Sequence, residues 1–241
     1  MYIYALALVA GIIATVVFLI LRVKKGGIYG LTAKAAASFC FIAVAVASVF
    51  VSLKDPSVIV LNHTFNRWSL FIILGLVCGM LGDVWLDLKY CFVEKSDVFT
   101  FGGFAFFMAG HLFYLIAIYN TMKFNVWFTI AGVVIGGAVV LFEIFKERVL
   151  KVTYGRFKAM VCIYSGLLIY LTVVCLGTLV EMRNTRSLLL FSGSLLFLIS
   201  DLILSSIYFG DDKNTKGNII ANHITYYLAQ FLIASSLLYI V

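Results

Sequence analysis

WSLFIILGLVCGMLGDVWLDL, residues 68–88, is an apolar run that carries an aspartate, Asp83, close to its end. A transmembrane helix needs about 20 mostly apolar residues, so the run is long enough to cross a bilayer. A second run, over 187–207, contains LLFLISDLILSS (195–206) and sets Asp201 in a matching context. A carboxylate at the centre of a membrane helix costs about 2.5–3.5 kcal/mol on insertion scales. A partner, a water-filled cavity or a bound proton usually offsets that cost, so such a residue marks a functional site by default.

The rest of the chain agrees with a membrane reading. Its 241 residues are 63% hydrophobic and 12% charged, with one proline. Soluble domains run at about 45–50% apolar and about 25% charged. Apolar runs cover roughly 2–21, 32–52, 68–88, 99–120, 124–145, 157–180, 187–207 and 218–240. They predict an all-α polytopic bundle of about eight transmembrane helices, forming one integral membrane domain over 1–241. Strands of a membrane barrel would be about ten residues long and alternate in polarity, and these runs do neither. The first run is longer than the apolar core of a signal peptide, and its basic residues follow it, so it reads as a retained membrane helix.

The net charge of +7 reports topology here. No compact basic run with interleaved aromatics is present, which argues against nucleic-acid binding. Loops after the odd-numbered runs hold 13 Lys and Arg, with Lys34 counted among them, and loops after the even-numbered runs hold five. The positive-inside rule then places the odd loops in the cytoplasm and both termini outside. A bacterial inner membrane is the expected location. The five cysteines are scattered, none in a C-x-x-C pair, and read as small buried hydrophobes.

The two halves are faintly alike. Aligning Asp83 with Asp201 superposes Gly75 on Gly193 and Leu86 on Leu204, and His111-Leu-Phe-Tyr114 answers His223-Ile-Thr-Tyr226. Four helices per half would make such a repeat parallel. Gly75, Gly79 and Gly82 read as close helix packing.

Other polar residues gather around the aspartates. Asp87 shares a helix face with Asp83 at i, i+4. His111 lies in the middle of its run with Tyr114 a turn on. His223, Tyr226, Tyr227 and Gln230 fall at 0, +3, +4 and +7, a polar stripe that should face the bundle rather than lipid. Two carboxylates in a poorly solvated cavity cannot both ionise easily, so one keeps its proton while the other is a base. That describes an acid/base pair, and equally a proton relay in a small-solute or proton-coupled transporter. The absence of proline breaks and of an inverted repeat weighs against the transporter. No metalloprotease, serine-hydrolase, Walker or dinucleotide motif is present, and the Asp and His spacing matches no familiar metal site.

GDVWLDL (82–88), GGFAFFMAGHLFYL (102–115), GSLLFLISDLILS (193–205) and HITYYLAQFLI (223–233) together resemble the YhhN-type lysoplasmalogenase family of eight-helix membrane enzymes. The resemblance implies hydrolysis of the vinyl ether of a lysoplasmalogen, or a related lysolipid, to a fatty aldehyde and a glycerophospho-alcohol. It implies catalytic roles for Asp83 and Asp201. It also implies pocket roles for His111, Tyr114, Tyr226, Tyr227 and Gln230, with Asp87 and His223 beside them. The partners would be a lysophospholipid substrate and membrane lipids. The chemistry asks for one protonated and one ionised carboxyl, and for no metal or organic cofactor.

Overall fold

The computed structural model describes residues 1–53, 62–149 and 153–239. Eight long helices run in order: α1 Tyr2–Lys24, α2 Gly27–Ser52, α3 Asn62–Leu88, α4 Ser96–Thr121, α5 Val126–Val149, α6 Lys158–Met182, α7 Thr185–Phe209 and α8 Lys216–Ser235. Short 3-10 turns cover Val93–Lys95, Gly155–Phe157 and Ser236–Leu238. Each apolar run read from the sequence is a helix, and the fold is a polytopic helical bundle. Among the described residues, seven helices are long and apolar enough to cross a membrane. α8 is not among those seven, and its polar content accounts for that: Asn218, Asn222, His223 and Gln230 interrupt it. Lys54 and Lys151, counted above as loop cations, lie outside the described residues.

Local chemistry sets the helix ends. Gly26 (φ 63°) and Gly27 (φ 50°) turn the chain between α1 and α2 through the left-handed region, which side chains disfavour. The Asn125 side chain accepts the Trp127 N–H (2.9 Å) at the start of α5. Asn184 accepts the Ser187 N–H (2.9 Å), and the Ser187 hydroxyl receives the Asn184 N–H in return, a capping box that starts α7.

The chain forms two compact units, Met1–Met122 with Gln230–Val241, and Lys123–Ala229. In the first, α3 and α4 pack by glycine-to-ring contacts. Gly75 lies under Tyr114 and Gly82 under Phe107, while a Cβ on Gly110 would sit 3.0 Å from the Gly75 carbonyl. The small residues on α3 thus serve close packing, as the sequence predicts. In the second unit, α5 and α6 approach in the same way, Gly136 against the Gly166 carbonyl. Large apolar side chains of α1 (Leu6, Ile13, Val16) and α5 (Trp127, Val133, Val134) stay exposed, as lipid-facing surfaces do.

Candidate active site

In the first unit, Asp83 is 1% exposed and Asp87 2% exposed on one face of α3. Neither stands alone. The Ser38 hydroxyl of α2 donates to Asp83 Oδ2 at 2.6 Å. Lys34 Nζ, also on α2, lies 3.1 Å from Asp83 Oδ1 and 3.4 Å from Asp87 Oδ1. The Arg22 guanidinium of α1 pairs with Asp87 Oδ2 and stacks over Tyr90, 4.8 Å from its ring centre. The charges therefore alternate Arg22–Asp87–Lys34–Asp83, two cations against two anions. Removing one partner of such a buried set leaves an uncompensated charge, at a cost of about 3–5 kcal/mol.

This corrects one expectation. Lys34 is not a loop cation: it lies within α2 and is 4% exposed. Its ammonium faces two carboxylates of α3 instead of the cytoplasm, so it drops out of the loop count. Just beyond α3, burial pushes the Lys89 ammonium down to about 7, with Lys34 and Arg22 adding repulsion against the attraction of Asp87.

His111 and Tyr114 are buried on α4, their ring centres 6.4 Å apart. The Tyr114 hydroxyl donates to Gln230 Oε1 at 3.2 Å, so two of the predicted pocket residues do meet.

In the second unit, Asp201 of α7 accepts a hydrogen bond from the Tyr164 hydroxyl of α6. One residue earlier, Ser200 is bound to Asn222 of α8. The Asn222 amide donates to the Ser200 carbonyl (2.8 Å) and hydroxyl (2.9 Å), and the Ser200 hydroxyl donates to the Asn222 carbonyl (3.1 Å). Tyr226 packs edge-on to Phe197 (5.4 Å) and to Tyr227 (5.1 Å). His223, Tyr226, Tyr227 and Gln230 are all buried, while Ile224 and Leu228 on the other side of α8 are exposed. The polar stripe therefore faces inward.

Several polar residues here were not singled out from sequence: Arg22, Lys34, Ser38, Tyr164 and Glu143. Glu143 is a third buried carboxylate, on α5, held by Lys146 at 3.1 Å and by the Tyr154 hydroxyl. Burial and that contact push the Tyr154 phenol above its usual range. Among the described residues, no group of three His, Cys, Asp or Glu side chains is placed to hold a metal ion.

A family model described as the YhhN family matches residues 31–237, a stretch running from α2 to the end of the chain's last turn. The chain belongs to the YhhN family. Comparisons with curated proteins and with solved structures gave no match. The YhhN match begins within α2, three residues before Lys34, so it takes in both of the α2 residues that contact Asp83.

Proposed function

We propose that this YhhN-family protein is a membrane hydrolase that cleaves the vinyl ether bond of a lysoplasmalogen or a closely related lysolipid. The observation that carries the reading is the pair of aspartates on membrane-spanning helices, each gripped by donors from the preceding helix of its own unit. Asp83 has Ser38 and Lys34, and Asp201 has Tyr164. Carboxylates kept in apolar helices at such cost, and oriented by dedicated donors, are what acid–base chemistry in a membrane needs.

The reaction follows from those groups. A carboxylic acid gives its proton to the β-carbon of the enol ether, and the C=C electron pair forms the new C–H bond. The resulting oxocarbenium ion is stabilised by a carboxylate. Water adds to the α-carbon while that carboxylate takes one of its protons. The hemiacetal then collapses: its C–O bond breaks, the glycerol oxygen takes a proton, and a fatty aldehyde leaves. One water is consumed, and neither metal nor organic cofactor is required. In this reading the hydrocarbon chain lies among the apolar helices, and the head group lies at the basic, cytoplasmic ends.

The test is product analysis. Purified protein in detergent is given matched 1-alkenyl, 1-alkyl and 1-acyl lysophospholipids, and released aldehyde is measured. Aldehyde from the alkenyl lipid alone supports the reading. No aldehyde from it, together with solute-dependent proton uptake into proteoliposomes, would replace the hydrolase by a transporter.

A further inference from the structure

The charge cluster of the first unit is not balanced. Arg22 lies in the last turn of α1, Lys34 within α2, and Lys89 just past the end of α3. Lys89 interacts with Asp87, Lys34 and Arg22, so it belongs to the same cluster as the two aspartates. Among the described residues of this cluster, three cations stand against two carboxylates. Asp83 and Asp87 are 1% and 2% exposed and the Arg22 side chain 9%, so solvent screens the excess weakly. Arg22 also has a donor to spare. Its Nη2 pairs with Asp87, while its Nε is buried with no hydrogen-bond partner among the described residues. Buried donors are nearly always bonded, and this one needs an acceptor. The guanidinium is held in place around it. Its Cζ lies 4.8 Å from the Tyr90 ring centre. Toward Gly30, a Cβ would meet Nη1 at 3.3 Å, Cζ at 3.5 Å and Nε at 3.7 Å, so the missing side chain gives the group its seat. A planar guanidinium fixed in this way suits the oxygens of a phosphate.

Depth and spacing choose the anion. The apolar spans of α1 and α3 end at Lys24 and Leu88, so Arg22 and Lys89 lie at the level of a bilayer's head groups. Asp83 is one turn deeper on α3 than Asp87, the partner of Arg22. A helical turn rises about 5.4 Å. The glycerol carbons between the phosphate and the vinyl ether of a lysophospholipid span a comparable length. We propose, building on the hydrolase reading, that Arg22 and Lys89, with Gly30 as the seat, form the subsite for the phosphodiester of the lysolipid head group. The Arg22 Nε–H is given to a phosphate oxygen, and the Lys89 ammonium closes on the same anion. Asp87 is a positioning residue that fixes the guanidinium through Nη2. The bound phosphodiester brings the cluster to three charges against three.

The experiment compares lipids matched except for the phosphate. Aldehyde release is measured from a 1-alkenyl lysophosphocholine and from 1-alkenylglycerol. Affinity for the 1-alkyl counterparts, which cannot release aldehyde, is read from thermal shifts in nanodiscs. The wild type should prefer the phospholipid about tenfold or more, in kcat/KM and in affinity. Arg22→Lys keeps a cation beside Asp87 but loses the Nε–H, and Gly30→Ala displaces the guanidinium. Each should cut the preference about tenfold. Lys89→Gln removes the excess charge, should fold at least as well as the wild type, and should cut the preference about threefold to tenfold. Lys25→Gln, at an exposed lysine just past α1, should leave it unchanged. Equal treatment of the two lipids by the wild type overturns the subsite, even if both release aldehyde and the hydrolase reading stands. So does a full preference retained by both Arg22→Lys and Lys89→Gln. Stabilisation by inorganic phosphate at the lysolipid's own concentration, lost in Arg22→Lys, would give the site to a free phosphate and overturn the lipid assignment. If no lipid releases aldehyde but the 1-alkyl pair is discriminated and the variants lose that discrimination, the hydrolase reading fails and the phosphodiester subsite is supported.

Discussion

Replacing Gly75 by alanine tests how tightly the α3–α4 pair is built around the candidate site. A Cβ at that position would sit 2.6 Å from Tyr114 Cδ1 and 2.9 Å from Cζ, and closer still to Cε1. Carbon atoms in contact prefer about 3.5–4.0 Å, so the ring must move by about 1 Å or more. It has little room. Tyr114 is 2% exposed, and its hydroxyl is bonded to Gln230, which is fully buried. Overpacking of this kind costs about 1–3 kcal/mol, and a strained or lost hydrogen bond adds about 0.5–1.5 kcal/mol. Gly75→Ala should therefore destabilise by about 2–4 kcal/mol. The internal control is Gly137 on α5, where an added Cβ meets nothing within 4 Å. Gly137→Ala should be neutral or gain up to about 1 kcal/mol from helix propensity. The assay is thermal unfolding of purified protein in detergent, with Tyr114→Leu completing a double-mutant cycle. Tyr114→Leu should recover most of the loss in the Gly75→Ala background. Equal stability of the two alanine variants would refute the argument.

Asn222→Leu removes both amide bonds to Ser200 and leaves a buried hydroxyl and carbonyl short of a donor; it should cost about 1–3 kcal/mol in the same assay. Lys89 gives a pH test. Its folded ammonium titrates near 7, below the unfolded value of about 10.4, so the penalty for holding its charge is full below pH 7 and fades as pH rises. Lys89→Gln should therefore be more stable than wild type at pH 6, and the gap should close by about pH 10 in thermal scans. Topology is checked with single cysteines at 156 and 183 in an otherwise cysteine-free chain: an impermeant reagent on intact cells should label 183 and spare 156, and the reverse would invert the orientation.

The spans were legible because membrane insertion writes itself into composition: about twenty apolar residues per crossing survive almost any tertiary detail. Asp83 and Asp201 stood out for the same reason, as charges in the wrong solvent. The inward stripe of α8 was readable from helical periodicity alone. Lys34 was not. A lone lysine seven residues into a helix has the appearance of a loop cation, and only the pairing of α2 with α3 gives it two carboxylate partners. Tyr164 is harder still. It is one of 13 tyrosines in a chain rich in aromatics, and no local pattern separates a hydrogen-bond donor from a packing ring. Glu143 sits near the end of α5, where a carboxylate is unremarkable until Tyr154 is folded over it.

The most direct measurement is the turnover of Asp83→Asn and Asp201→Asn on a 1-alkenyl lysophospholipid that the wild type hydrolyses. Asparagine keeps the size of the side chain and some of its hydrogen bonds but cannot exchange the proton. Each single variant should release aldehyde about 10²–10⁴-fold more slowly while remaining monodisperse in detergent. If both carboxyls serve one reaction, as proposed, the double variant should be little worse than either. Near-wild-type turnover by either single variant would contradict the account.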